Sequence, residues 1–154
     1  MRALGPALLA AALLAASACS REPSRAPRPP ADARSAALAL FELARSRGPS
    51  AESRGSILDP ELAGRDGAAL EAALLPLREA TEQRVVGEEP IAALGLTVVE
   101  FSAALPGGGE IRGSAHVRPR GDGTWRIVWI ATPGGSWPAR RPGPGEGSTS
   151  GGGG

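Results

Sequence analysis

Two glycine-rich turns in the second half of the chain constrain its fold more than any other feature. They span residues 106–109 and 120–123, and they separate three stretches, 96–102, 111–118 and 124–131, in which β-branched or aromatic residues alternate with polar ones. Alternation with a period of two is typical of strands that bury one face, and short glycine-rich connections are typical of hairpins. The sequence therefore predicts three consecutive antiparallel strands, a β-meander.

The first half of the chain has helical spacing instead. Asp32 is the predicted N-cap of a helix that ends at Gly48. After a polar loop, Asp-Pro-Glu at the start of residues 59–62 predicts a short helical turn, because a capping carboxylate there precedes a proline. A longer helix is predicted to begin at Asp66, and Pro76 should kink or split it. A further strand is predicted only weakly, at residues 83–86, since Glu-Glu-Pro follows soon after.

Pairing the strands about the two turns divides their side chains between two faces. If the first turn introduces no extra residue, the face that meets the helices carries Val99, Phe101, Ala115, Val117, Trp125, Ile127 and Trp129. The opposite face then carries Glu100, Arg112, Ser114, His116 and Arg126, with Val98, Val128 and Ile130 among them. Trp137 follows the last strand, and it could either cover the end of the core or be exposed.

The predicted fold class is α+β, with N-terminal helices packed on a C-terminal antiparallel β-meander. Helices followed by such a sheet, ending in the run GDGTWRIVW at residues 121–129, resemble the small α+β cone of NTF2-like or cystatin-like domains. The resemblance implies a fold and no particular activity, because such folds host enzymes, binding modules and assembly factors alike.

The first nineteen residues have the order of an export signal. Arg2 precedes an apolar stretch, residues 3–16, that is shorter than the about 20 residues needed to span a bilayer. The run ASAC at residues 16–19 resembles the lipobox of bacterial lipoproteins, which implies cleavage before Cys19 and its lipidation. The alternative is ordinary secretory cleavage at the same place, which would leave Cys19 as a free thiol. With Ser20 next, the lipoprotein resemblance implies an outer-membrane location facing the periplasm.

Composition divides the chain into four parts. Residues 1–18 are the predicted signal peptide, and residues 19–31 are the lipidated cysteine and a proline-rich tether. Residues 32–137 form one predicted α+β domain, long enough for a single modest core. Residues 138–154 are rich in glycine and proline, and we expect them to be disordered because ordering glycine is costly in backbone entropy.

Charge and side-chain chemistry argue against several functions. All 17 basic residues are arginines against 16 acidic residues, so the chain is nearly neutral and gives no electrostatic case for binding nucleic acid. A single cysteine allows no intramolecular disulfide. One histidine and carboxylates without ligand spacing predict no metal site, and no P-loop, dinucleotide fingerprint or nucleophile elbow is present. We therefore expect no cofactor.

The candidate site residues share the predicted polar face. His116, the only histidine, would be oriented by Glu100, and together with Arg112 and Arg126 these residues would line a cavity that binds an anionic or hydroxylated ligand. The alternative, which we favour, is an ordinary solvent-facing sheet with cross-strand charge pairs. Likewise, residues 120–122 spell Arg-Gly-Asp, a tripeptide known from adhesion ligands. Their place in a glycine-rich turn between two strands explains this sequence without an adhesion function.

Two functions of different class follow from these patterns. The favoured one is a lipid-anchored envelope module without enzymatic activity, which binds an envelope protein partner or a small ligand. The alternative is a small cavity enzyme with His116 as general base and Glu100 as its orienting group.

Overall fold

A computed structural model describes residues 28–46 and 48–139. Within them, three α-helices precede one five-stranded antiparallel sheet of strand order β1-β2-β3-β4-β5. The helices are Ala33–Arg45 (α1), Ala51–Ile57 (α2) and Gly67–Leu74 (α3), and the strands are Glu82–Ile91 (β1), Leu96–Ala104 (β2), Glu110–Pro119 (β3), Trp125–Thr132 (β4) and Gly135–Trp137 (β5). The predicted α+β fold with a C-terminal meander is thus confirmed. The predicted signal peptide, Cys19, most of the tether and nearly all of the tail lie outside the described residues.

The first helix forms as its sequence predicts. The Asp32 side chain accepts a hydrogen bond of 2.6 Å from the backbone N–H of Ser35, which satisfies one of the free donors of the first turn. The apolar face of α1 contacts four strands of the sheet. At its centre, the rings of Phe41 and Phe101 meet edge to face with centroids 5.3 Å apart.

The second helix lies in the stretch that was predicted to be a polar loop. Helix α2 begins after Ser50, whose hydroxyl accepts a hydrogen bond of 3.1 Å from the backbone N–H of Ser53. Residues 59–62 form a short turn with Asp59 as its cap, as predicted: Asp59 Oδ1 accepts from the backbone N–H of Glu61 at 3.0 Å, and the Asp59 carbonyl accepts from the backbone N–H of Ala63 at 2.8 Å. The backbone N–H of Asp59 also donates to the carbonyl of Ile127 at 2.9 Å, which ties this segment to β4.

The third helix is split where proline predicts. Helix α3 ends at Leu74, and a single 3₁₀ turn, Leu75–Leu77, carries Pro76 near its start. Asp66 stands at the N-cap position as predicted, but its backbone is left-handed with φ of 49° and its side chain makes no capping hydrogen bond.

The first strand is much longer than its predicted core. It has ten residues and continues through residues 88–90, where Pro90 pairs with Thr97. Proline is tolerated there because β1 is an edge strand. No further strand lies on its outer side, so no backbone N–H is needed on that side to form a hydrogen bond. The register shifts between Val85 and Gly87, so that Val86 is an extra, bulged residue.

A second bulge changes the predicted division of side chains between the faces. Val117 pairs with Ile127 but His116 pairs with Trp129, so Val128 is an extra residue in β4. Ile130 consequently turns into the core, where it is fully buried, and Trp129 lies across from His116 on the other face. The predictions that Trp129 meets the helices and that Ile130 faces away are therefore wrong.

Trp137 closes one end of the core. It is fully buried, it pairs with Ile130, and its indole N–H donates to the carbonyl of Arg65 at 3.0 Å. Of the two positions left open for Trp137, the structure has the buried one. Trp125 is half-buried and packs against the same core.

Candidate functional site

The candidate residues lie on the distal face, which we define as the face of the sheet turned away from α1. The register pairs Glu100 with Ser114, and Ser102 with Arg112. Since side chains two positions apart on a strand share a face, Glu100 is a diagonal neighbour of both Arg112 and His116. Diagonal neighbours on adjacent strands are within reach of long side chains, so the sheet brings these residues into one region.

A groove of about 420 Å³ lies in this region. Glu100 and Arg112 give it charges of opposite sign, and Ser114 and Thr132 add hydroxyl groups. The remaining lining residues are Val86, Phe101, Gly113 and Ala131. Two of the predicted site residues, Glu100 and Arg112, therefore line the groove, whereas His116 and Arg126 are not among its lining residues.

Gly113, a lining residue of the groove, lies directly across from Phe101 of β2. A Cβ atom built on Gly113 would lie 2.5 Å from Cζ of Phe101 and 2.6 Å from the carbonyl oxygen of Ala131. No side chain fits in that space, so the Phe101 ring covers the glycine where a neighbouring side chain would otherwise stand. Phe101 belongs to the core, so this Cβ would point toward the helices and the glycine serves core packing rather than the groove.

The two charged residues of the groove are accessible to a ligand. Glu100 is exposed, and the side chain of Arg112 is 81% exposed while its Nε lies 3.5 Å from a carboxylate oxygen of Glu110. An exposed ion pair of this kind is worth at most about 1 kcal/mol, so it can be exchanged for a ligand at little cost. Val86, bulged out of β1 and 55% exposed, stands at the rim.

His116 is placed differently from the residues of the groove. It is only 5% exposed, and its ring packs at a steep angle against Trp129 with centroids 4.6 Å apart. The structure therefore separates the imidazole from the lining of the groove. The bulge in β4 brings Trp129 to this position, and no local feature of the sequence marks it.

Arg126 lies further along the same face. It is 9% exposed, and its Nη1 donates to the carbonyl of Trp125 at 3.2 Å. Directly across from it on β3 is Arg118, an exposed residue that we did not predict as part of the site. The sequence does contain a pattern that indicates this residue. The alternation that places Arg112 and His116 on the distal face also places Arg118 there.

The turn between β3 and β4 uses its charged residues internally. Arg120 Nη1 lies 3.3 Å from Oδ2 of Asp59, a carboxylate that is almost fully buried. Asp122 accepts hydrogen bonds from the hydroxyl and the backbone N–H of Thr124, and these bonds lower the pKa of Asp122. Both ends of the adhesion-type tripeptide are thus engaged in the fold, which favours its interpretation as a turn.

Comparisons with protein-family models, with curated proteins and with solved structures found no match for this chain. The likeness to NTF2-like and cystatin-like domains therefore stays a prediction. Among the described residues, no group of three histidine, cysteine or acidic side chains is arranged to hold a metal ion. None of the helices described here is long and apolar enough to cross a membrane.

Proposed function

We propose that the protein is an exported envelope lipoprotein, anchored through Cys19 to the outer membrane on its periplasmic side, whose α+β domain is a non-enzymatic binding module. The observation that carries the binding role is the groove of about 420 Å³ on the distal face. Its volume lies in the range of ligand sites, about 300–1,000 Å³. We infer no role in binding nucleic acid, because the charge of the chain is nearly balanced.

The lining of the groove indicates the chemistry of what it binds. Glu100 offers a carboxylate and Arg112 a guanidinium, and Val86 and Ala131 supply apolar surface beside the hydroxyl groups. A ligand that carries both a cation and an anion on a short apolar frame would pair with both charges at once. A short segment of an envelope protein partner, or a small zwitterionic molecule, has this character.

Binding is favoured over the alternative of a cavity enzyme by the position of His116. A general base must come within about 2.6–3.2 Å of the proton that it removes, directly or through one water. His116 is buried against Trp129 and is not among the residues that line the groove. Glu100 lines the groove, and the imidazole that would act as general base is not part of that lining.

Charge reversal in the groove tests the binding role. The full-length protein and its Glu100→Arg and Arg112→Glu variants would each be used to capture partners from detergent-solubilised envelopes after cross-linking. We expect a stoichiometric partner with the unaltered chain and its loss with either variant. Glu79→Arg, which reverses an exposed charge outside the groove, is the matched control and should retain the partner. Capture that is equal for all variants would refute the proposal, as would the absence of any partner or bound small molecule.

The intact mass of the membrane-extracted protein tests the anchor. Lipidation predicts loss of residues 1–18 together with an added diacylglyceryl group and a further acyl chain, whereas simple secretion predicts the loss alone. Cys19→Ala should release the protein into the soluble periplasmic fraction or leave it uncleaved. Membrane anchoring that is unchanged in this variant would contradict the role of Cys19.

A further inference from the structure

Two arginines face each other across adjacent strands on the distal face. Arg118 of β3 and Arg126 of β4 are direct partners in the antiparallel register, next to the turn that joins the two strands. Directly opposed residues of this kind have Cβ atoms about 4.5–5.5 Å apart, and like charges in such a pair destabilise a sheet. The pair is therefore a feature that the stability of the sheet alone does not explain.

Neither arginine has a carboxylate partner within the part of the chain that the structure describes. Ion pairs within 4.0 Å join Arg112 to Glu110 and Arg120 to Asp59, but none includes Arg118 or Arg126. The nearby Asp122 accepts its hydrogen bonds from Thr124, although the charge of Arg126 helps to lower its pKa. Asp122 therefore offsets only part of the charge of the two guanidinium groups, since it forms no ion pair with either and no described ion pair includes Arg118.

The burial of Arg126 makes this imbalance costly. Arg126 as a residue is only 9% exposed, and the described hydrogen bond from its guanidinium goes to the carbonyl of Trp125. Burying a charge without a counter-charge is unfavourable, and a bound anion would offset that cost. Arg118 is exposed, so an anion could approach Arg126 from the side of Arg118.

We propose that Arg118 and Arg126 form a binding site for a tetrahedral oxyanion of the phosphate class, either free phosphate or the phosphoryl group of a lipid headgroup. A guanidinium group presents its N–H donors in a planar arrangement that matches the oxygens of phosphate, and the register brings two arginines to directly opposed positions. A phosphate dianion also balances both positive charges, which one carboxylate does not. The site is separate from the lining of the groove, so it does not rest on the proposed binding of a partner there.

Thermal unfolding in phosphate tests the site. The full-length chain in non-ionic detergent would be unfolded at pH 7.5 in increasing inorganic phosphate and, separately, in sodium chloride of matched ionic strength. An anion that binds the folded state alone raises Tm until the site is saturated. We expect a saturable rise in Tm in phosphate beyond that in chloride, and at least a tenfold weaker apparent affinity in Arg118→Gln and Arg126→Gln. Arg65→Gln, a change at an exposed position away from the distal face, should keep the full response.

Arg118→Gln keeps the test decisive even if loss of the buried Arg126 prevents folding, because Arg118 is exposed. Equal responses to phosphate and chloride would overturn the proposal, and so would an undiminished response in folded Arg118→Gln. Glu100→Arg separates the two proposals: loss of the groove partner with an unchanged phosphate response contradicts neither, whereas loss of the phosphate response in this variant would contradict a separate site.

Vesicles distinguish the two sources of phosphate. The full-length Cys19→Ala chain, which lacks the proposed anchor, would be sedimented with phosphatidylcholine vesicles containing or lacking phosphatidic acid. Additional binding to phosphatidic acid that free phosphate displaces and that Arg118→Gln loses would support a lipid headgroup. A phosphate-dependent Tm without such additional binding would support free phosphate. The absence of both effects would overturn the site.

Discussion

Replacing Trp137 with alanine should destabilise the domain by about 3–5 kcal/mol, the usual range for removal of a large buried aromatic side chain. Trp137 is fully buried although it belongs to a strand of only three residues. Its loss would leave a cavity between β4 and α3, and it would remove the hydrogen bond to the carbonyl of Arg65. That hydrogen bond accounts for only about 0.5–1.5 kcal/mol of the total. Most of the effect should therefore come from lost packing.

Urea unfolding followed by far-UV circular dichroism measures this difference without depending on tryptophan fluorescence. Trp137→Phe retains a six-membered ring but loses the N–H donor, so its free energy of unfolding should lie between those of the unaltered protein and Trp137→Ala. Leu75→Ala is the matched control, because Leu75 is 59% exposed and its truncation should change stability by no more than about 0.5 kcal/mol. If Trp137→Ala destabilises the protein no more than Leu75→Ala, Trp137 is not part of the core and the reasoning is refuted.

Two further changes test the sheet and the first helix by the same measurement. Gly113→Ala would place a Cβ 2.5 Å from Phe101, so we expect its free energy of unfolding to fall by about 1–3 kcal/mol. Gly121→Ala, where the added Cβ has open space, is the control and should be nearly neutral. Equal losses of stability in the two variants would contradict the close packing at Gly113. Asp32→Ala removes an N-cap and should cost about 1 kcal/mol at pH 7. Because the backbone N–H of Ser35 lowers the pKa of Asp32 in the folded state, this stabilisation is complete above the unfolded-state pKa of about 3.9 and is lost as the pH falls through the folded-state value. The stabilities of the two proteins should therefore converge in acid, and a gap that widens there would contradict the assignment.

The elements that sequence predicted well are those whose signals are local. Asp32 caps α1 through a residue three positions away, and the turn at residues 120–123 joins strands that begin beside it. Pro76 splits the third helix through its own missing N–H. Helix α2 also had a local signal, the serine cap at Ser50, but its polar residues and Gly55 made it resemble a loop.

The elements that sequence missed depend on contacts with distant residues. Strand β1 continues through Pro90 because β2 pairs along its whole length and its other edge needs no donor. Strand β5 has only three residues, so it has too little alternation to be recognised, and it is held by pairing with β4 and by the burial of Trp137. Pairing of this kind is decided by the tertiary structure, which propensity and periodicity do not contain.

The bulge at Val128 shows which part of the candidate site could be predicted and which could not. Counting outward from the turn at residues 120–123 gives the correct partners as far as Val117 and Ile127, and it fails beyond them because Val128 has no partner of its own. Trp129 lies beyond the bulge, so its place against His116 could not be counted from the turn. The pairing of residues 118 and 126 lies before the bulge, and the hairpin alone imposes it. The short hairpin between β3 and β4 therefore holds the two arginines opposite each other. Neither the register shift at Val128 nor a rearrangement of the helices would separate them. A change of pairing within the hairpin would not move them apart, whereas the anion that we propose would balance their charges without disturbing the strands.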